Sequence, residues 1–341
     1  MTFGSFARCA TAACLALMPV SIASAQSPSE FYKGKTVELY IAYSVGGGYD
    51  LYARLIARHL GRHIPGNPLV VPKNMTGAGG LRLANWLYQA APRDGTVLGA
   101  TSRSVASETL LGNTGAQYDP SKFSWIGSAN DEVSVCVAWH TSGVATFEEL
   151  LTKELTVGST GTADDTYQFP RFVNNVLGTR MKIITGYPGG NDVSLALERG
   201  EVGGRCGWSW SSVKSIRMSW VTEKQMHLLM QFSLAKHPDL PNVPLVMDLA
   251  KNDEQRAMFR LIFARQTMGR PYQGPPGIPP DRLRALQQAF MDTMKDKEFL
   301  AEAEKAKFEI TPVSGEAIEK LVAELFKTPP EIAAKAGQLI K

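Results

Sequence analysis

Four glycine-rich segments each stand where a β-rich run gives way to a helical pattern, and they restrict the fold of this chain more than any other feature. The first is Ser44-Val-Gly-Gly-Gly-Tyr-Asp50, which follows the run 36–43. After it, Leu51, Leu55, Ile56 and Leu60 recur at helical spacing, with Arg54, Arg58 and Arg62 on another face. Asp50 is placed to cap that helix. The second segment, Asn74-Met-Thr-Gly-Ala-Gly-Gly80, joins the strand 69–71 to a helix over 81–90. The third, Ser159-Thr-Gly-Thr162, leads from 155–158 into a helix over 167–177, and Gly186-Tyr-Pro-Gly-Gly-Asn191 leads from 181–185 into a helix over 192–198. Repeated strand–loop–helix units predict an α/β fold with parallel sheets flanked by helices.

Such loops gather at the carboxyl ends of the strands, where ligands bind in open α/β sheets. A helix N-terminus presents unpaired N–H groups with about half a positive charge, and glycine lets a ligand approach the backbone. The pattern therefore points to a small anion, such as a carboxylate, held largely by neutral donors. Tyr43, Tyr49, Tyr187, Trp208 and Trp210 lie in or beside the loops. They read either as core or as the wall of a cleft for a ligand with an apolar body.

Catalytic patterns are missing. The chain has no G-x-S-x-G, H-E-x-x-H, Walker or G-x-G-x-x-G motif. Ser211-Ser-Val-Lys214 matches S-x-x-K, but neither S-D-N nor K-T-G accompanies it. His59 and His63 have Gly61 between them and basic flanks, a solvated helix end and not a metal site. Asp164-Asp165 reads as a helix cap or first turn. No nucleophile–base pair, metal or cofactor is implied.

Arg8, an apolar stretch over 10–20 and Ala23-Ser24-Ala25 form a secretory leader, with cleavage expected after Ala25. The stretch falls short of the roughly 20 residues that span a bilayer. Cys14 precedes most of it, which argues against a lipid anchor, so the expected product is a soluble chain in the periplasm. Cys9 and Cys14 leave with the leader. Cys136, in Val133-Ser-Val-Cys-Val-Ala-Trp139, and Cys206, in Val202-Gly-Gly-Arg-Cys-Gly-Trp208, remain in an oxidising compartment. A structural disulfide and two buried thiols are both compatible with those surroundings. The charge balance, 36 basic against 32 acidic residues, does not suggest nucleic acid.

The length of 341 residues suits two domains. Tyr118-Asp-Pro-Ser-Lys-Phe-Ser-Trp125 and His237-Pro-Asp-Leu-Pro-Asn-Val-Pro244 read as breaks. They divide the chain after the leader, 1–25, into a discontinuous lobe 1, residues 26–127 and 235–341, and a lobe 2, residues 128–234. The tail is helical, with Asp281 capping 282–295 and a further helix over 316–326.

At these same residues the chain resembles the extracytoplasmic solute receptors of tripartite tricarboxylate transporters, the Bug-type binding proteins. The likeness rests on the order of Tyr43-Ser-Val-Gly-Gly-Gly-Tyr-Asp50, Asn74-Met-Thr-Gly-Ala-Gly-Gly80, Pro92-Arg-Asp-Gly-Thr96, Tyr118-Asp119, Gly158-Ser-Thr-Gly161 and Tyr187-Pro-Gly-Gly190. It implies a two-lobed type II periplasmic binding protein, each lobe a mainly parallel sheet, with a two-strand hinge. It also implies a monomer that binds a small organic carboxylate without catalysis and delivers it to a membrane permease of one large and one small subunit. Matched by position, the donors are Val45, Gly46, Gly47 and Gly48, then Thr76, Gly77, Ala78 and Gly79, with Tyr43 at the strand end. The second lobe contributes Ser159, Thr160, Thr162, Tyr187, Gly189, Gly190 and Asn191, with Trp208 in the wall. Asp50 holds its helix in place. The chain differs from the family where Val45 replaces a proline and Gly203 an aspartate. A periplasmic enzyme on the same fold and a ligand-dependent sensor are the alternative readings.

Overall fold

The computed structural model describes residues 26–341 together with Met1, Thr2 and Gly4. The rest of the expected leader, with Cys9 and Cys14, lies outside the described residues. Among the described residues, eleven strands form two sheets. They are β1 Thr36–Ile41, β2 Leu69–Asn74, β3 Val97–Ala100, β4 Ser124–Ser128, β5 Ser134–Trp139, β6 Leu155–Gly158, β7 Met181–Ile184, β8 Gly204–Ser209, β9 Met226–Phe232, β10 Pro271–Gly274 and β11 Val313–Ser314. The first sheet runs β11-β4-β10-β3-β1-β2 and the second β7-β6-β8-β5-β9.

Both sheets are mixed, where the sequence predicts mainly parallel ones. β1 pairs parallel with β2 and β3, and β6 with β7 and β8, as strand–helix–strand units require. The exceptions come chiefly from chain crossing. β5, arriving from the first sheet, runs antiparallel to β8 and β9. β10, returning from the second, runs antiparallel between β3 and β4, and the short β11 is antiparallel to β4.

The two crossings lie side by side. Ala129 N–H donates to Arg270 O at 3.1 Å, Gly269 N–H to Asn130 O at 2.8 Å and Glu132 N–H to Gln266 O at 2.8 Å. The return thus falls at 266–270, whereas the sequence reading places it near 235. The proline-rich stretch 237–244 is a loop on the second sheet's edge, where Gln231 N–H donates to Pro244 O at 2.8 Å. The helix Asp253–Phe263 then packs Phe259 and Phe263 on Phe172, Phe169 and Phe232. Prolines mark a loop without saying to which body it belongs.

The first sheet buries Val37, Leu39 and Ile41 against Leu55, Ile56 and Leu60 of the helix Gly48–Leu60. The helical stripe is the one the sequence shows. Pro280–Thr293 starts earlier than expected, with Asp281 in its first turn and not at its cap. Among the described residues no helix is long and apolar enough to cross a membrane.

Cys136 and Cys206 sit on the adjacent strands β5 and β8 and are disulfide-bonded, beside Met181. The bond spans 70 residues. Closing a loop of that size constrains the unfolded chain, and losing it costs about 2–4 kcal/mol. The Cys136→Ser/Cys206→Ser double variant is expected to unfold at lower urea concentration than the oxidised protein, with reductant removing the difference. Equal midpoints would show that the bond adds nothing.

Candidate functional site

The site forms where the carboxyl ends of the two sheets face each other. From β1 the chain runs through Tyr43 into Gly46, whose φ of +86° favours glycine, and the helix begins at Gly48 with Gly47 as its cap. Asp50 therefore sits in the first turn and is not the cap expected from sequence, because the glycines let the helix start three residues earlier. Its carboxylate reaches back to Gly46 N–H at 3.0 Å and also accepts from Arg54 Nε at 2.9 Å and Asn74 Nδ2 at 2.8 Å. The loop is pinned from three sides. Opposite it, the helix Gly190–Glu198 starts from Gly189 on the second sheet.

The lobes are closed on one another. A side chain at Gly48 would overlap Ser212 Oγ and come within 2.9 Å of Arg270 Nη2, and one at Gly161 would meet Gly79 N at 2.6 Å. Tyr43 OH donates to Asp164, Ser44 Oγ donates to Asp192 Oδ2 at 2.5 Å, and Ser44 N–H donates to Pro188 O at 3.2 Å. Burial and the adjacent Asp164 carboxylate raise the Tyr43 hydroxyl well above its usual pKa, so it remains a donor.

Of the residues expected at the site, Tyr43, Gly47, Gly48, Thr160, Gly190 and Trp208 border the cleft, as does Tyr49. Gly46 and Asn191 border a recess continuous with it. Others fall elsewhere. Val45 is 64% exposed. Thr76, Gly77 and Ala78 lie outside the cleft wall, and Gly79 is buried against Asp164 at the lobe contact. Ser159 is turned inward to Thr166, and Thr162 borders a separate pocket with Glu108 and Gln168. Tyr187 is half-buried against the second lobe's cluster that contains Trp208 and Trp210, while Gly189 abuts Ser44. Asp164 caps the helix Asp165–Leu177, as its position suggests.

The wall is charged, which the sequence reading misses. Arg103 Nε donates to Asp165 Oδ2 at 2.6 Å, and its Nη2 reaches Ser134 Oγ at 3.2 Å and Ser209 Oγ at 3.0 Å. Arg265 Nε lies 2.9 Å from Asp165 Oδ1, an ion pair off hydrogen-bonding alignment. Arg270 donates to Ser209, Ser211 and Ser212 at 3.0, 3.1 and 2.8 Å, with Glu132 at 3.5 Å. Arg205 stands on β8 over the Trp208 ring at 4.2 Å. Only one signal pointed to these groups: a basic residue inside the strand-like run 202–208, which alternation alone would have left unexplained.

Beside the cleft, Glu108 is fully buried, accepting from Gln168 Nε2 at 2.7 Å and from Asn113 Nδ2. Burial pushes its pKa up to about 7, with Arg265 acting the other way. A carboxyl whose pKa is higher in the folded state favours folding at low pH, and that contribution fades as pH rises from about 4.5 to 7. Glu108→Gln is expected to flatten the stability profile across that window and to be the more stable form at pH 8. Parallel profiles for the two proteins, measured by urea unfolding, would refute the assignment.

A scan against protein-family models finds no match. A curated relative, the UPF0065 protein in the gbd 5' region of Cupriavidus necator, is 25% identical over 344 residues, covering 97% of this chain and 96% of that protein. Among solved structures, the periplasmic binding protein BugD matches at 18% identity and a TM-score of 0.72, over 90% of this chain and 99% of its own. MatC of Rhodopseudomonas palustris with bound malate matches at 17% and 0.69, over 90% and 99%. An R. palustris protein with adipate matches at 17% and 0.68, over 89% and 98%. The architecture is that of two-lobed type II periplasmic binding proteins, and these likenesses bear out the resemblance to Bug-type receptors.

Proposed function

We propose that this chain is a Bug-type periplasmic solute receptor that holds a small organic carboxylate between its lobes. The observation that carries the reading is the meeting of two glycine-led helix N-termini, Gly48–Leu60 and Gly190–Glu198, from opposite sheets across one closed cleft. Their free N–H groups and aligned peptide dipoles favour an anion. Each lobe supplies half of the contacts, so the full set exists only on closure, as in hinge-closing binding proteins. Malate and adipate in two similar structures support a carboxylate as the ligand. The donors are the N–H groups of Gly47, Gly48 and Gly190 with the Thr160 hydroxyl; Tyr43 and Trp208 shape the wall.

The protein binds its ligand and leaves it chemically unchanged. Its secretory leader directs it to the periplasm, and by its resemblance it passes the ligand as a monomer to the large and small membrane subunits of a tripartite transporter.

The test is thermal unfolding of refolded protein against mono-, di- and tricarboxylates, with sugars and amines as controls. A ligand at 100 times its Kd adds about 2.7 kcal/mol, a shift of several degrees. Gly48→Val is expected to fold with an unchanged circular dichroism spectrum and to lose that shift, because its side chain blocks closure against Ser212. A shift retained in the folded variant would place the ligand elsewhere.

A further inference from the structure

Three arginines border the cleft, and they differ in what neutralises them. Arg103 is paired with Asp165, and Arg270 has Glu132 within 3.5 Å. Arg205 makes no ion pair among the described residues, although it is only 7% exposed. Its one hydrogen bond runs from Nη1 to Ser194 Oγ at 3.0 Å, and its Nε has no partner. It also stands beside the Gly190 N-terminus, where a side chain would overlap its Nη2, so two positive groups converge there. Burial, reinforced by Arg217 and Arg270, pulls its pKa down to about 9, whereas Asp164 opposes this. An unpaired buried cation is costly, and among the described residues no carboxylate stands within ion-pair distance of Arg205, so the more distant Asp164 offsets it only in part.

We propose that Arg205 is the specificity-determining residue of the cleft: its guanidinium takes the ligand's anionic group directly, alongside the Gly47, Gly48 and Gly190 N–H groups. This rests on the receptor reading above and sharpens it. Neutral backbone donors accept any well-shaped oxygen, whereas a buried guanidinium requires a formal negative charge. The site therefore selects ionised acids and rejects their isosteric amides. Trp208 beneath the guanidinium and Ser194 at its Nη1 hold the fork in plane, which suits it to a carboxylate. Closure without an anion leaves Arg205 buried and uncompensated, so the empty lobes favour the open state.

The test is isothermal titration of wild type, Arg205→Met and Arg205→Lys with malate, adipate and the neutral adipamide. Wild type is expected to bind an acid and to ignore adipamide. Arg205→Met, which keeps a long side chain on Trp208, is expected to weaken acid binding at least ~100-fold, as loss of one partner of a buried charge pair does. Arg205→Lys keeps the charge but not the fork, so binding should fall about tenfold with adipamide still rejected. Should Arg205→Met fail to fold, Arg205→Lys decides the matter, since affinity equal to wild type would overturn the role. A wild type that binds acid beside a folded Arg205→Met that binds it equally well overturns this inference and leaves the receptor reading standing. Silence of wild type toward acids overturns both.

Discussion

The double ion pair on Asp165 is the interaction on which the closed form depends. Asp165 opens a helix of the second lobe, and its carboxylate lies between Arg103, just beyond β3 of the first sheet, and Arg265, at the edge of the return crossing. All three groups are buried. One charge thus ties lobe to lobe and lobe to crossing, while Ser134 and Ser209 accept from Arg103 Nη2 and Gln168 Oε1 accepts from Arg265 Nη1. Removing one member of such a cluster leaves an uncompensated charge in a dry interior, a far larger penalty than losing a surface pair.

The glycine loops owe their effect to this frame. Backbone contact between lobes at Gly161 and Gly79 is possible only because neither carries a side chain. Dipoles, unpaired N–H groups and one uncompensated guanidinium then converge on a single cleft. Electrostatic attraction comes from the open protein, whereas geometric fit comes from the closed one.

Much of this was legible in the chain. Local patterns report local structure, so the strand–loop–helix units were readable, and Leu55, Ile56 and Leu60 face inward as their spacing requires, with Leu51 only half-buried. Gly47, Gly48, Thr160 and Gly190 of the loops do border the cleft, but Thr76, Gly77 and Ala78 do not, because glycine marks a turn wherever it lies. What escaped detection depends on contacts distant in sequence. Arg103, Arg205 and Arg270 come from three separate segments and carry no common spacing. The antiparallel β5 and β10 and the crossing at 266–270 follow from which sheet each strand joins, which periodicity does not encode.

The insertion of β10 between β3 and β4 sets an order of assembly. Until residues 271–274 arrive, β3 and β4 lack the strand that joins them, and each presents an unpaired edge. The second sheet draws all its strands from one continuous stretch, 134–232, and has no such wait. The first lobe, although it begins first, is completed last. Its half-built edges are the surfaces that need shielding while the rest of the chain is made and moved.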